Sequence, residues 1–140
     1  SGIAACTRLI SAKTGPAQAA AYRGRGFWRH NNSEYDAAMA DFNIAIRIEP
    51  GHVEGYSYRA DTWRSKGEVD RALADLEMAT RIDPTYAAAY YLRGEMYEEK
   101  GDYARAREQY NAALAVPAKN REGEWAHRQA TKRLSGLVGK

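Results

Sequence analysis

The sequence predicts an all-α repeat protein, and three observations lead to this fold class. Residues of the same type recur every 34 positions along the 140-residue chain. Between these positions, apolar residues follow the spacing of an amphipathic helix. Glycine and proline stand where such helices would end. A period of this length indicates helical units that cannot bury their hydrophobic faces alone and therefore stack on one another.

The recurring positions form columns with one residue type each. The columns with three members are Tyr22, Tyr56 and Tyr90; Arg25, Arg59 and Arg93; Ala38, Ala72 and Ala106; and Ala45, Ala79 and Ala113. A further column holds Asp41 and Asp75, with Gln109 in the third copy. Pro50 and Pro84 also align, while Pro117 comes one residue early.

Each unit is predicted to contain two helices. In the second unit, Tyr56, Ala60 and Trp63 share one helical face, and Gly67 is typical of the residue just past a helix C-terminus. A second apolar stripe begins at Val69 and ends before a proline, which cannot continue a helix. Columns of small residues leave room for the two helices to cross closely. These columns are Gly26, Ala60 and Gly94, and Ala38, Ala72 and Ala106.

This frame resembles the tetratricopeptide repeat, a helix-turn-helix unit. The resemblance implies a right-handed superhelical solenoid and a single domain over residues 1–140. The predicted parts are an N-terminal helix of a degenerate repeat (1–16), three repeats (19–52, 53–86 and 87–120) and a capping helix (121–140). The first repeat departs from the pattern: Arg29 replaces an aromatic residue, and "HNNSEY" replaces the glycine turn, so we expect looser packing there.

The N-terminal segment "IAACTRLI" aligns without a gap to residues 39–46, the second helix of the first repeat. This places Cys6 in the column of Phe42. Cys6 is either a small buried hydrophobe or the half of a disulfide whose partner lies upstream of Ser1. The segment resembles the start of exported bacterial repeat proteins. That resemblance implies an exported or periplasmic bacterial protein, with a cytoplasmic location as the alternative.

The C-terminal segment is predicted to be a helix that covers the hydrophobic end of the repeats. Its apolar stripe is Ala126, Ala130, Leu134 and Leu137. The region from Lys119 carries six basic residues against two acidic ones. This charge indicates either a solvated face or a docking surface for an acidic partner or membrane.

The chemistry-bearing residues give no pattern of an active site. His30, His52 and His127 lie far apart, and none has a second ligand at the spacing of a metal site. The net charge of +3 is too weak to predict nucleic-acid binding, and no apolar run reaches the roughly 20 residues of a membrane span. We therefore expect no catalysis, no metal and no cofactor.

The arginine column has two interpretations. Each of Arg25, Arg59 and Arg93 would form either a structural ion pair with an aspartate of its own or a neighbouring repeat, or part of a ligand site. The shared period of arginine and aspartate fits the first interpretation, a ladder of ion pairs that repeats along the chain.

The resemblance implies a partner-binding groove, lined by the first helix of every repeat. The residues it assigns to this groove are Arg23, Phe27, His30, Tyr58, Asp61, Arg64, Tyr91, Leu92, Glu95 and Glu98. Glu54 lies on the same face. The aromatic members would form a floor, with basic residues in the first repeat and acidic ones in the third. Alternatively, these aromatics only pack between adjacent helices.

The known clamp of this family for chaperone C-termini needs lysine and asparagine in the first repeat, asparagine in the second, and lysine and arginine in the third. Here Arg23 alone is compatible, and Phe27, Tyr58, Ala88 and Leu92 are not. We therefore expect a non-catalytic scaffold that holds a protein or peptide segment in the groove. Two alternatives stay open: self-assembly of the chain into a homo-oligomer, and weak binding of the basic C-terminal helix to an anionic surface or nucleic acid.

Overall fold

The computed structural model describes residues 2–140 and confirms the all-α repeat fold: this part of the chain contains eight helices and no strand. The helices are α1 (Gly2–Ala12), α2 (Gly15–Asn31), α3 (Tyr35–Ile48), α4 (Val53–Ser65), α5 (Val69–Ile82), α6 (Ala87–Glu99), α7 (Tyr103–Ala115) and α8 (Arg121–Gly136). The chain divides into two compact units. The N-terminal unit extends through Asp75, and the C-terminal unit begins at Leu76, so the boundary lies inside α5.

The turn after the first helix of each repeat has one geometry in all three copies. Ser33, Gly67 and Gly101 have positive φ angles of 62°, 81° and 78°. The following amide donates to a carbonyl of the helix's last turn, at 2.8 Å, 2.9 Å and 2.9 Å in the three copies. These bonds satisfy carbonyls that the helix leaves unpaired. "HNNSEY" thus closes the same turn with a serine in the left-handed conformation.

Arg29 does not leave the first repeat loose on the side where it replaces an aromatic residue. Its Nη1 donates to Asp41 Oδ2 at 3.0 Å, and the Asp41 carboxylate is almost fully buried. An ion pair therefore holds this side of the repeat. The expectation of looser packing at Arg29 was wrong because sequence spacing did not show that Asp41 lies within its reach.

The tyrosine and proline columns are joined by a hydrogen bond. Tyr56 Oη donates to the Pro50 carbonyl and Tyr90 Oη donates to the Pro84 carbonyl, both at 3.0 Å. Each bond ties the first helix of a repeat to the turn that precedes it. The pairing explains why both residue types recur with the same period.

The small-residue columns have the steric role that their spacing predicts. A Cβ atom on Gly26 would lie 2.5 Å from the Phe42 ring, and one on Gly94 would lie 2.3 Å from the Tyr110 ring. Both rings are fully buried. The absence of a side chain at each glycine is therefore what lets the large ring of the second helix reach the backbone of the first.

Helix α1 packs on α2 as the alignment of "IAACTRLI" predicts. Cys6 is a partly buried free cysteine whose Sγ lies 3.0 Å from the position of a Cβ on Gly24. The Trp28 ring lies against the backbone of Gly2. Cys6 therefore fills space between the two helices, and its pairing with an upstream cysteine stays a prediction.

Helix α8 completes the core of the C-terminal unit. Ala126 and Ala130 are fully buried, Leu137 is 2% exposed and Leu134 packs partly buried against them. The predicted apolar stripe thus faces the core. The helix begins after Asn120, whose side chain accepts a hydrogen bond from the Gly123 amide at 2.9 Å.

Candidate partner-binding surface

The arginine column forms structural ion pairs in the first two repeats. Arg25 makes two hydrogen bonds to Asp41, at 2.9 Å and 2.8 Å, and Arg59 makes two to Asp75, at 2.8 Å and 2.7 Å. Both aspartates are buried, and the hydrogen bonds they accept raise the pKa of each arginine above its ordinary value. These guanidinium groups are therefore engaged inside the fold.

A second bond joins each of these arginines to the preceding helical unit. Arg59 Nη1 donates to Asn43 Oδ1 at 3.0 Å, and Arg25 Nη1 donates to Thr7 Oγ1 at 3.3 Å. Thr7 is the residue that the "IAACTRLI" alignment places in the Asn43 column. Helix α1 thus supplies the contact that the second helix of a preceding repeat supplies elsewhere.

The third copy of the pair differs. Gln109 occupies the aspartate position, and its Oε1 is buried without a hydrogen-bond partner in the described chain. Arg93 Nε is buried and unpartnered in the same way. A neutral amide offers one acceptor oxygen where the carboxylate offers two, so the bidentate pair cannot form.

In the N-terminal unit, α2 and α4 contribute an aromatic pair with one exposed ring. Phe27 is 41% exposed, and its ring centroid lies 5.7 Å from that of Tyr58. Tyr58 in turn contacts the buried Phe42 at 5.9 Å, so the core supports the pair from below. Two of the three rings expected to form the aromatic floor are thus in contact in this unit, and Phe27 is the exposed one; their role in binding stays a prediction.

A cleft of about 270 Å³ opens beside this pair. Its lining residues are Ala20, Arg23, Gly24, Phe27, His52, Glu54 and Tyr58. His52 was not assigned to the groove from the sequence, because it precedes α4 and lies outside the helical spacing used for the inner face. Its Nδ1 is buried without a hydrogen-bond partner among residues 2–140.

Arg23 does not give the cleft the positive charge expected from the sequence. It is 8% exposed, and its Nη1 donates to Glu49 Oε1 at 2.9 Å. Glu49 ends the second helix of the same repeat and was not part of the predicted site. The ion pair neutralises the basic end that Arg23 was expected to provide.

The other predicted residues of this unit lie at the C-terminal ends of α2 and α4. His30 Nδ1 donates to Thr62 Oγ1 at 3.0 Å, because the Thr62 hydroxyl itself donates to the Tyr58 carbonyl. His30 Nε2 lies 3.5 Å from Asp61 Oδ2, and the Asp61 side chain is 49% exposed. Arg64 lies in the last turn of α4 and is partly exposed.

In the C-terminal unit, α8 covers the predicted groove residues. Tyr91 is 3% exposed and makes an edge contact with Trp125, with ring centroids 5.1 Å apart. Arg133 donates to Glu95 at 2.6 Å and lies 3.6 Å from Glu98. Leu92 packs partly buried against the core of the unit. The alternative that aromatics only pack between helices therefore describes Tyr91.

Two tyrosines in this covered region have pKa values above the ordinary value. Burial is the main cause for both Tyr91 and Tyr110, and the Tyr110 hydroxyl also donates to Glu98 at 2.7 Å. The pKa of Arg133 is raised, first by its hydrogen bond with Tyr91. These groups keep their ordinary charge states at neutral pH and form a polar network between α8 and the helices it packs on, with Arg133 as its partly exposed member.

Within residues 2–140, no group of three or more histidine, cysteine, aspartate or glutamate side chains could hold a metal ion. None of the helices in this range has the length and hydropathy needed to cross a membrane.

Two stretches of the chain between residues 60 and 120 match known family models. Residues 60–101 match a model described as "TPR repeat", and residues 87–120 match one described as "Tetratricopeptide repeat". A search of curated proteins finds no significant match. These matches together span residues 60–120, so this part of the chain is similar to tetratricopeptide repeats.

Solved structures share this fold at low sequence identity. The crystal structure of MamA has a TM-score of 0.70 and 22% identity, over 95% of this chain and 69% of that one. The first TPR of Spaghetti (RPAP3), bound to an HSP90 peptide, has a TM-score of 0.71 and 19% identity, over 87% of this chain and 99% of that one. The chaperone SycD of Yersinia enterocolitica, in complex with a peptide of the translocator YopD, has a TM-score of 0.76 and 14% identity, over 84% of this chain and 89% of that one.

Proposed function

We propose that this protein is a non-catalytic interaction module that binds a segment of a partner protein along α2 and α4. The observation that carries the proposal is the exposed Phe27 beside Tyr58 at the mouth of a cleft of about 270 Å³. Aromatic side chains that become desolvated on binding contribute much of the energy of protein interfaces. A partly exposed phenylalanine that packs on a second ring supported by the core is suited to that role.

The fold supports the proposal by analogy. The Spaghetti repeat domain and SycD are both described with bound peptides. Their identity to this chain is below one fifth, so the likeness concerns the fold, while the site must be argued from the residues of this chain.

The proposal concentrates on part of the groove predicted from sequence. We assign contact with the partner to Phe27, Tyr58 and the exposed Asp61, with Arg64 and His30 at the rim. The predicted residues of the C-terminal unit are engaged by α8, and we assign them the role of holding that helix. The residues with this role are Tyr91, Leu92, Glu95 and Glu98.

Selection of peptides from a phage-displayed library of random 12-residue sequences on the immobilised full chain tests the proposal. Peptides that bind the wild type should lose affinity for a Phe27→Ala variant, whose fold circular dichroism would verify. Val138→Ala is the matched control, because Val138 is 84% exposed and lies outside the cleft. Equal binding to wild type and Phe27→Ala would place the interaction elsewhere.

The two alternatives have their own readouts in the same preparation. Self-assembly would appear in sedimentation velocity as a mass that rises with protein concentration. Binding of an anionic surface through the basic C-terminal region would fall steeply as salt is raised. Arg133, one of its charges, already pairs with Glu95.

We also infer a bacterial, exported protein from the N-terminal sequence resemblance. This rests on "IAACTRLI" and on the arginine–glycine form of the repeats, as in Arg25-Gly26 and Arg93-Gly94. The genomic sequence upstream of the first residue would test it. A secretion signal there would support export, and its absence from the encoded protein would contradict it.

A further inference from the structure

We propose that the cleft between α2 and α4 takes a basic side chain, lysine or arginine, of the bound segment. This inference rests on the proposed function and names the chemistry that its site selects. It concerns the surface formed by Phe27, Tyr58 and Glu54, and it reverses the charge preference expected from Arg23 in the sequence.

The charge of the cleft is the first argument. Arg23 and Glu49 neutralise one another through a bond of 2.9 Å, in which the Arg23 side chain is only 10% exposed. Glu54 lines the same cleft and makes no ion pair or side-chain hydrogen bond within residues 2–140. Of the other lining residues, Ala20 and Gly24 carry no charge. The cleft also contains the His52 imidazole, and Glu54 contributes its one carboxylate, which has no ion-pair partner within residues 2–140 and therefore favours a cation.

The aromatic pair is the second argument. A guanidinium or ammonium group is attracted to the face of an aromatic ring within about 6 Å of its centroid. The chain already uses this contact internally: the Arg71 guanidinium carbon lies 4.8 Å from the Trp63 ring centroid, and that of Arg59 lies 5.7 Å from the Tyr56 centroid. In the cleft, Phe27 has an exposed ring but no such cation among the described contacts.

The size of the cleft is the third argument. Its volume of about 270 Å³ lies below the roughly 300–1,000 Å³ of pockets that enclose drug-sized ligands. The opening therefore suits one side chain of a longer segment. The aliphatic stem of lysine or arginine would cover the rings while its charged end reaches Glu54. Long basic side chains commonly pack their methylene groups on apolar surface and keep the charged group in a polar environment.

The test uses the ¹⁵N-labelled full chain at pH 7.5 and two small probes. N-acetyl-arginine-N-methylamide carries the guanidinium, and N-acetyl-citrulline-N-methylamide is its neutral isostere. We expect saturable amide shift changes at residues that line the cleft, with the arginine probe binding about fivefold more tightly than the citrulline probe. The same titrations on Glu54→Gln should give equal affinities for both probes.

Glu108→Gln is the matched control, because it removes one negative charge from an exposed position on α7 outside the cleft. This variant should keep the preference for the arginine probe. The amide spectrum of each variant reports directly whether the fold is intact.

Either of two results would overturn the inference. One is the absence of saturable shifts at the cleft up to about 50 mM of the arginine probe, where even a weak side-chain ligand would register. The other is equal binding of both probes to the wild type. If cleft-binding peptides are nevertheless selected from the phage library, the interaction module stands and only its basic-side-chain preference fails; if Phe27→Ala leaves peptide binding unchanged, the module's site fails as well.

Discussion

Gln109 follows Arg93 by sixteen residues, the separation that joins Arg25 to Asp41 and Arg59 to Asp75 in bidentate ion pairs. In the third copy the two side chains instead bury polar atoms without partners. A buried polar group that lacks a hydrogen bond costs free energy, since it has lost water and gained nothing. The third repeat is therefore the one in which the ladder is incomplete.

Gln109→Asp should complete the ladder and stabilise the protein. A carboxylate at this position supplies both acceptor oxygens to Arg93, and we expect an increase of about 1–2 kcal/mol in the free energy of unfolding. Urea denaturation would measure it. Glu108→Asp, at the adjacent exposed position, should change stability by less than about 0.5 kcal/mol. A loss of stability in Gln109→Asp would show that the third arginine is held differently from the other two.

Ser33→Gly should also stabilise the protein, because it removes strain from the first turn. Ser33 has φ 62°, whereas glycine occupies this position in the other two repeats. A side chain in the left-handed conformation costs about 1 kcal/mol, which glycine avoids. We expect a gain of about that size in thermal or urea unfolding. The reciprocal change, Gly101→Ser, should cost a similar amount; if both variants match the wild type, the turn is unstrained.

The repeat columns, the turns and the small-residue contacts could be predicted because they depend on short, recurring spacings. Arg59 pairs with Asp75 inside one repeat, and Tyr56 bonds to the Pro50 carbonyl only six residues away, across a repeat boundary. The sequence therefore displays the residues of each contact twice, also as Tyr90 with Pro84 and as Arg25 with Asp41. The 34-residue period thus identified the residues that make these contacts, even where it did not show which groups they contact.

The electrostatics of the candidate site could not be predicted, since they depend on contacts outside the period. Glu49 pairs with Arg23, and Arg133 of α8 pairs with Glu95. Helix α8 was predicted to cover the hydrophobic end of the repeats, but it lacks the repeat columns, so its sequence did not indicate that Tyr91 is among the residues it covers. The groove residues were chosen by helical spacing. This spacing gives the direction in which a side chain points, but it does not show which other side chains it contacts there.

The pKa of Asp83 should respond to Thr85. The Thr85 hydroxyl donates to Asp83 Oδ1 at 2.6 Å and its amide donates at 2.9 Å, and these bonds lower the pKa of the carboxyl. A lowered folded-state pKa means that the stabilisation is present above the unfolded-state pKa and is lost as pH falls through the folded one. Thr85→Val removes the hydroxyl bond alone, so the Asp83 pKa should rise towards its ordinary value.

An NMR titration of the side-chain carboxyl carbons would measure this change. Thr80→Val is the matched control, because the Thr80 hydroxyl donates to the Glu77 carbonyl instead of to Asp83, so the Asp83 pKa should stay lowered in that variant. An unchanged Asp83 pKa would assign the shift to the amide bond instead of the hydroxyl.

Gly94→Ala should destabilise the C-terminal unit even though alanine is the better helix former. The new Cβ would lie 2.3 Å from the buried Tyr110 ring, which cannot withdraw because its hydroxyl is held by Glu98 at 2.7 Å. Overpacking of this kind costs about 1–3 kcal/mol and exceeds the gain of up to about 1 kcal/mol in helix propensity. Gly136→Ala provides the opposite case, because nothing lies within 4 Å of its Cβ position at the end of α8. Urea unfolding should therefore show a loss of stability for Gly94→Ala and no loss for Gly136→Ala. Equal stability of the two variants would contradict the prediction, because it would mean that α6 and α7 can move apart at little cost in free energy.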